Sequence, residues 1–226
     1  MQRGVHIDGN PIDLETWVAE FPFPSDPTVW VWPKQTYVLG WSAFKRTIND
    51  KEMVDLARVL VRQMNGLVAC LHPESDPVSV SGKIAHLENG SVLLHEMLHA
   101  GSGGSYEIRG ARATIQLSGT SSHSRSKQCL SWMTKCRSND TLGDAVSLLG
   151  GARDWYDLYK VWEALKKKVG KNAIIDRGWI SRNELSRLTQ TINHYRHYSK
   201  PLPSDPPSYE HARHQIVELV RKALES

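Results

Sequence analysis

The sequence has few cysteines and no long apolar run. Its three cysteines, Cys70, Cys129 and Cys136, include no Cys-x-x-Cys pair, so they supply no cysteine zinc site and suit a reducing compartment. No stretch approaches the roughly 18 apolar residues that a membrane helix requires. Residues 1–13 have neither the basic segment nor the apolar segment of a secretory signal. We therefore expect a cytoplasmic protein that has no membrane partner.

Acidic and basic residues are unevenly distributed along the chain. Residues 1–118 contain 10 Lys and Arg against 13 Asp and Glu, whereas residues 119–226 contain 18 against 11. The chain of 226 residues is 40% hydrophobic and 23% charged, which is the composition of a globular protein. The basic second half suits an anionic partner such as RNA, and a solvated basic surface is the alternative.

Residues 1–118 predict a β-rich N-terminal domain with one main helix. Segments 28–41 and 77–94 combine β-branched and aromatic residues with Pro, Gly and Asn-Gly turn signals, which is typical of strands and hairpins. Segment 106–119 alternates apolar and polar residues and indicates a further strand. Between the strands, segment 49–66 begins with a capping box, carries one apolar stripe and ends in Asn-Gly, so it predicts the main helix.

Residues 119–138 predict a basic, Ser-rich linker, and residues 139–226 predict a helical domain. The linker starts with SGTSSHSRSKQ, which has no large apolar residue. Apolar residues then recur at helical spacing in DTLGDAVSLLGG, DWYDLYKVWEALKKKVG, SRNELSRLTQTINHYRHY and SYEHARHQIVELV. Amphipathic helices with short connections favour a four-helix-type bundle. The expected fold class is therefore α+β, with two domains.

The pentapeptide His95-Glu96-Met97-Leu98-His99 has the letters of a zinc peptidase motif. In that motif, two histidines one helical turn apart hold the metal and the glutamate polarises a bound water. Here Gly90 and Gly101 leave room for fewer than three turns, and a hairpin signal precedes the motif. On a strand, His95 and His99 would be roughly 13 Å apart, too far for one metal. We predict that they do not share a metal, and a zinc metallopeptidase using His95, Glu96 and His99 is the alternative.

The segment NELSRLTQTINHYRH places polar residues on one face of a predicted helix. Arg187 and His194 are two helical turns apart, and Asn193 and His197 lie beside them. An Arg that binds a phosphate and a His that exchanges a proton near neutral pH are the minimum for metal-independent cleavage of RNA by its own 2′-hydroxyl. These four residues are the candidate catalytic residues. A solvated outer face of the helix is the alternative.

Four motifs in the second half resemble a group of uncharacterised bacterial proteins that have a β-rich N-terminal domain and a HEPN-like C-terminal helical domain. The motifs are LYKVWE at 158–163, LSRLTQTIN at 185–193, RH at 196–197 and PPSYEHA at 206–212. Segments 53–82 and 106–115 are similar to the first domain of that group. This resemblance implies that the HExxH segment lies among strands.

The HEPN resemblance also implies a helical bundle that dimerises and, in many members, an RNase motif of Arg, four to six residues and His. Arg187 and His194 fit that motif, so Arg187 would bind the scissile phosphate, His194 or His197 would act as general acid or base, and Asn193 would orient the substrate or the His. Leu188 stands where active members usually have a polar residue, and many HEPN domains are inactive. We therefore predict a HEPN-like nucleic-acid-associated protein. A metal-independent RNase of defence or toxin type and a non-catalytic binding or dimerisation module both remain open. RNA and a second copy of the chain are the expected partners, and no cofactor is expected.

Overall fold

The computed structural model of the chain describes residues 2–32, 36–47, 49–88, 91–96, 122–197 and 201–226. Within these residues the chain forms five strands, eight α-helices and one short 3-10 helix. In chain order they are β1 (Gln2–Asp8), α1 (Pro11–Glu20), β2 (Thr28–Trp32), β3 (Thr36–Gly40), the 3-10 helix (Ser42–Arg46), α2 (Asp50–Leu71), β4 (Ser79–Glu88), β5 (Ser91–Glu96), α3 (Ser122–Arg137), α4 (Asp140–Gly151), α5 (Trp155–Val169), α6 (Lys171–Asp176), α7 (Arg182–His197) and α8 (Tyr209–Glu225). The α+β class is confirmed.

One antiparallel sheet contains the five described strands in the order β2-β3-β1-β4-β5. The central strand β1 pairs Val5 with Leu39 of β3 on one side and with Ile84 of β4 on the other. Successive residues of a strand point to opposite faces of the sheet, so Val5 and Ile7 point to the same face. These four side chains are at most 1% exposed and belong to the main cluster of buried residues. The hairpin predicted from segment 77–94 is present as β4 and β5.

Helix α1 corrects the prediction of a single main helix in the first 118 residues. The Asn10 side chain accepts a hydrogen bond from the N–H of Ile12 at 3.0 Å, and Pro11 occupies the first turn, as is typical of a helix start. The helix has only 10 residues, so its apolar periodicity in the sequence is short. Burial of Leu14 and Trp17, at 5% and 0% exposed, stabilises it against the rest of the fold.

Helix α2 begins where the sequence predicts and continues past its predicted end. The Asn49 side chain accepts a hydrogen bond from the N–H of Glu52 at 2.9 Å. The helix runs on through Asn65-Gly66 to Leu71. The amide side chain of Asn65, which is 8% exposed, pairs with both backbone polar groups of Val78 at 2.8 and 2.9 Å. Asn65 therefore connects α2 to the start of β4 and does not end the helix.

Helices α2 and α4 are in direct backbone contact at two glycines, which we name the glycine contact. A Cβ atom on Gly66 would lie 2.0 Å from the Val146 carbonyl oxygen, and one on Gly150 would lie 1.9 Å from the Arg62 carbonyl oxygen. Optimal separations between non-bonded heavy atoms are about 3.5–4.0 Å. Only glycine fits at these two positions, which explains an Asn-Gly pair inside a helix despite a cost of about 1 kcal/mol relative to Ala.

Helix α3 corrects the predicted linker over 119–138. Residues 122–137 are helical, while 119–121 lie outside the described residues. The helix is stabilised by an apolar stripe at helical spacing, whose members are at most 5% exposed: Cys129, Trp132, Met133 and Cys136. This stripe packs where α3 contacts α2 and α4. The Ser-rich start of the segment does not indicate this helix, because the buried apolar residues begin only at Cys129.

The four predicted helices of the second half, α4, α5, α7 and α8, begin where the sequence predicts. Asp154 caps α5 by accepting a hydrogen bond from the N–H of Asp157 at 2.8 Å, and Ser208 caps α8 by accepting one from the N–H of His211 at 3.2 Å. The structure adds α3 and the short α6 to the four helices expected, so a four-helix-type bundle undercounts the described helices of this region. Gly170, at φ +88°, ends α5 and leads directly into α6.

The buried side chains of the two predicted domains form one cluster. It includes Val5 of the sheet, Met64 of α2, Leu149 of α4 and Ile216 of α8. Helix α2 makes this continuity possible because it contacts β1 and β4 as well as α3, α4 and α8. A flexible linker between separate cores is therefore wrong for the described residues, and the boundary near residue 139 remains a sequence-based prediction.

Candidate functional site

Helix α7 presents the predicted polar stripe because its other face is buried. Ser181 N–H donates to Glu184 Oε2 at 3.1 Å and Glu184 N–H donates to Ser181 Oγ at 3.2 Å, and this capping box fixes the start of α7. Hydrogen bonding of the carboxylate to the side chain and backbone of Ser181 lowers the pKa of Glu184. Leu185, Leu188 and Ile192 are at most 1% exposed. Arg187 and Gln190 are exposed between them, whereas Thr191 is buried, and Leu188, next to Arg187, is directed into the core.

Arg187 binds a carboxylate in the structure. Its Nη1 donates a hydrogen bond to Asp205 Oδ2 at 2.5 Å. The Arg187 side chain is 46% exposed and the Asp205 side chain is 79% exposed. Both line a cleft of about 290 Å³ between α7 and the start of α8, where Glu184, His211 and Gln215 supply the other polar groups. We name this the α7–α8 cleft, and its Arg already recognises an anionic group.

The structure brings His211, and not His194, into the α7–α8 cleft. His211 lines the cleft from the first turn of α8. His194 is half-buried, about 10 Å further along the axis of α7 than Arg187. Its ring meets the ring of Tyr195 edge to face at 5.2 Å, and Tyr195 stacks on Trp155 at 4.7 Å. Arg187 and His194 therefore share a helix face without lining one cleft.

The other two candidate residues, Asn193 and His197, also lie outside the α7–α8 cleft. Asn193 is half-buried and its Nδ2 donates to the Thr189 carbonyl oxygen at 2.8 Å, so this amide bonds to the backbone of its own helix. His197 is exposed and is the last residue of α7. Asn193 therefore forms a hydrogen bond within its own helix, and His197 lies at the C-terminal end of α7.

The HExxH segment begins on a strand. His95 and Glu96 are the last residues of β5, where they pair with Ile84 and Lys83 of β4. The helix that two histidine ligands require is therefore not present at these two positions. Residues 97–99 lie outside the described residues, so the distance between His95 and His99 remains a prediction. Within the part of the chain that the structure describes, no group of three His, Cys, Asp or Glu is placed to hold a metal ion.

Sequence reasoning missed a buried ionic cluster where α1 ends. The Glu20 carboxylate is 1% exposed, and its Oε1 lies 2.9 Å from His72 Nε2 and 3.6 Å from Arg125 Nε. Glu20 Oε2 is buried with no hydrogen-bond partner among the described residues. Burial, followed by the nearby Glu20 charge, raises the pKa of the Cys129 thiol. Glu20 and His72 are 52 positions apart, so no local pattern indicates their contact.

His211 and Asp205 were also missed, for a related reason. The Ser208 cap fixes the first turn of α8 and was visible in the sequence. It does not specify which surface that turn meets. The ion pair of Arg187 and Asp205 joins positions 18 residues apart and depends on how α7 and α8 pack.

Comparisons with known proteins give no match for this chain. No protein-family model, no curated protein and no solved structure matches it. Among the described residues, none of the helices is long and apolar enough to cross a membrane, and the cytoplasmic location remains a prediction. A function for this chain therefore has to be inferred from its own residues.

Proposed function

We propose that the protein binds single-stranded RNA at the α7–α8 cleft and cleaves it there without a metal, in the HEPN-like role that the sequence resemblance implies. The ion pair between Arg187 and Asp205 is the observation that carries this proposal. A guanidinium can bind a carboxylate or a phosphate through the same pair of N–H donors. The side chain that holds Asp205 is therefore suitably placed to hold a phosphate of RNA.

The Asp205 carboxylate can be replaced at small cost. Exposed ion pairs of this type contribute about 0–1 kcal/mol to stability, because water and salt screen them. Asp205 is 79% exposed, so its carboxylate is already largely hydrated when bound and returns fully to water when a phosphate takes its place. Asp205 thus competes with RNA weakly, and its removal is expected to strengthen RNA binding.

His211 is the histidine best placed for proton transfer at a phosphate held by Arg187, because both residues line one cleft. In the cleavage, the RNA 2′-oxygen attacks phosphorus and forms a P–O2′ bond while the P–O5′ bond breaks. A neutral histidine takes the 2′-hydroxyl proton, and a protonated histidine gives a proton to the departing 5′-oxygen. We assign one of these transfers to His211.

The second transfer requires another histidine. His194 and His197 follow Arg187 along α7, where the RNA strand would continue. The homodimer that the HEPN resemblance implies would bring the same residues of a second copy to the cleft. Leu188 is fully buried and forms part of the cleft lining, so it offers RNA no polar group in place of the polar residue that active HEPN members usually have after the Arg.

RNA binding and cleavage by the full chain test this proposal. A fluorescein-labelled single-stranded RNA is titrated in EDTA with wild type, Arg187→Gln, His211→Asn and His194→Asn, and the products are separated on a gel. The control is Arg182→Gln, because Arg182 is an exposed Arg of the same helix that does not line the cleft. Loss of a charged hydrogen bond predicts about tenfold weaker RNA binding for Arg187→Gln.

The outcomes separate a nuclease from a binding module. Products with 2′,3′-cyclic phosphate ends that disappear in Arg187→Gln and His211→Asn support cleavage at this cleft. RNA binding that depends on Arg187 without any cleavage supports the non-catalytic alternative. Equal RNA affinity for wild type and Arg187→Gln contradicts the proposed site.

A further inference from the structure

A second cleft, of about 470 Å³, lies where α2, the start of β4 and the junction of α4 and α5 meet. We name it the α2–β4 cleft. The two hydrogen bonds between Asn65 and the backbone of Val78 fix the start of β4 beside α2. The glycine contact places Gly150 of α4 directly on the α2 backbone. The walls of this cleft are therefore held in place by buried contacts.

Four cationic side chains line the α2–β4 cleft: Arg58 and Arg62 of α2, Arg153 just before α5, and Lys160 of α5. Asp157 is the only acidic residue among the described residues that line it. Asp157 bonds to Lys160 at 2.8 Å, and Asp55, which is not a lining residue, bonds to Arg58 at 2.8 Å.

The side chains of Arg62 and Arg153 differ from those of Arg58 and Lys160. The Asp157 carboxylate accepts a hydrogen bond from the Arg153 backbone N–H at 3.2 Å and compensates the Arg153 charge only in part. Within the described residues neither guanidinium forms an ion pair, and both residues are exposed. Positive charges gathered in a cleft repel each other and create a local potential that attracts anions. An anionic ligand that bridges Arg62 and Arg153 would relieve this repulsion.

The other lining residues indicate that the ligand has more than an anionic group. Val61, Val80 and Leu148 give the cleft an apolar surface, and Ser79 and Ser147 bring hydroxyl groups. Sites for small organic ligands are typically about 300–1,000 Å³ and combine apolar walls with a few polar groups. The volume of this cleft suits one nucleotide.

We propose that the α2–β4 cleft binds a nucleoside triphosphate. The phosphates lie between Arg62 and Arg153, and the base packs against the surface formed by Val61, Val80 and Leu148. The residues involved differ from those of the α7–α8 cleft, so this site does not depend on the proposed RNA binding.

Isothermal titration of the full chain with ATP, adenosine and inorganic triphosphate tests this site. We expect saturable ATP binding that is about tenfold tighter than binding of adenosine or of triphosphate, since each lacks one of the two recognised parts. Arg62→Gln and Arg153→Gln should each weaken ATP binding about tenfold, and the double variant about a hundredfold. Arg182→Gln is the matched control and should bind ATP as wild type does. Circular dichroism verifies the fold of each variant.

Several results would overturn the nucleotide site. No saturable binding of ATP at about 1 mM would exclude it, and so would unchanged affinity in the double variant. Triphosphate that binds as tightly as ATP would reject a nucleotide as the ligand. The double variant should keep wild-type affinity for single-stranded RNA. Loss of RNA binding in it would assign the α2–β4 cleft to RNA instead, independently of the result for Arg187→Gln.

Discussion

The glycine contact and the α7–α8 cleft show two different ways in which helices of this protein meet. At the glycine contact, α2 and α4 approach until backbone touches backbone, and Gly66 and Gly150 leave no space between them. At the α7–α8 cleft, Arg187 and Asp205 span a space of about 290 Å³ with exposed side chains. The first contact consists of backbone packing, and the second consists mainly of exposed charged side chains.

The structural role of a glycine or a polar residue therefore differs between the two contacts. Gly66 and Asn65 resemble a helix end in the sequence, yet both serve tertiary contacts inside α2. Arg187 belongs to an ordinary polar face in the sequence, yet its partner is a charged group of another segment. We expect substitutions at the glycine contact to change stability strongly, and substitutions in the α7–α8 cleft to change binding with little effect on stability.

The largest effect is expected at the glycine contact itself. Gly66→Ala and Gly150→Ala each place a methyl group within 2.0 Å of a backbone oxygen, so α2 and α4 must separate. Overpacking a rigid core costs about 1–3 kcal/mol and occasionally more, and we expect at least the upper part of that range. The measurement is the free energy of unfolding in urea.

Gly151→Ala is the matched control for these variants. It lies next to Gly150 in α4, and an added Cβ there meets no atom within 4 Å. We expect unchanged or slightly higher stability, since Ala favours a helix over Gly by about 1 kcal/mol. Equal losses in all three variants would show that these glycines of α2 and α4 matter for backbone conformation and not for packing.

A smaller loss of stability is expected at the buried Glu20 carboxylate. Glu20→Ala leaves His72 and Arg125 without their partner, and removal of one member of a buried pair costs about 3–5 kcal/mol when both are fully buried. His72 and Arg125 are 26% and 35% exposed, so water compensates in part and we expect about 2 kcal/mol. Urea unfolding measures this loss. Asp144→Ala, at an exposed position of α4, should change stability by less than about 0.5 kcal/mol.

A modest pH effect is expected in the sheet at His6. Burial lowers the pKa of His6 below its usual value of 6.5, although Asp8 opposes this shift, and His6 Nδ1 lies 2.8 Å from Ser81 Oγ. The unfolded chain therefore binds the proton more readily than the folded one, and stability falls as pH decreases below about 6.5. His6→Gln should reduce the difference in unfolding free energy between about pH 7.5 and about pH 5.5. An unchanged difference in this variant, or an equal reduction in the exposed His214→Gln, would contradict the assignment.

The smallest effect on stability is expected in the α7–α8 cleft. Asp205→Asn removes an exposed ion pair, so the free energy of unfolding should fall by less than about 1 kcal/mol. RNA affinity should rise severalfold, because Arg187 no longer has a competing carboxylate. Anisotropy titration measures the affinity. A loss of stability as large as that of Gly150→Ala would remove the contrast between the two contacts.

The sequence predicted best the features that are encoded within a few residues. The helices predicted to begin near Asn49, Asp154, Ser181 and Ser208 do begin there, because each start is fixed by a hydrogen bond between residues three positions apart. The buried stripes of α2 and α7 follow from helical spacing for the same reason.

Features that depend on distant partners were not predictable in the same way. Gly66 was interpreted as a helix end because its neighbour across the contact, Val146, lies far away in the sequence. Helix α3 is a different case, because its stripe from Cys129 to Cys136 has helical spacing that the sequence does show. The polar start of the segment led to the prediction of a linker despite this spacing. In the candidate site, the position of Arg187 on an exposed face followed from periodicity. Its partners Asp205 and His211 follow only from the packing of α8.

The reactivity of the buried cysteines can report local opening of the folded chain. Burial raises the pKa of Cys136 to about 11 and that of Cys129 well above its usual value. These sulfurs become accessible and deprotonated only when α3 separates from its neighbours in a local opening. A thiol reagent can therefore react with them only during such openings. Cys70, also fully buried, sits on α2 facing the Val217 carbonyl of α8. Labelling rates at these cysteines, measured one at a time, would give the frequency of separate local openings in a molecule that remains folded on average.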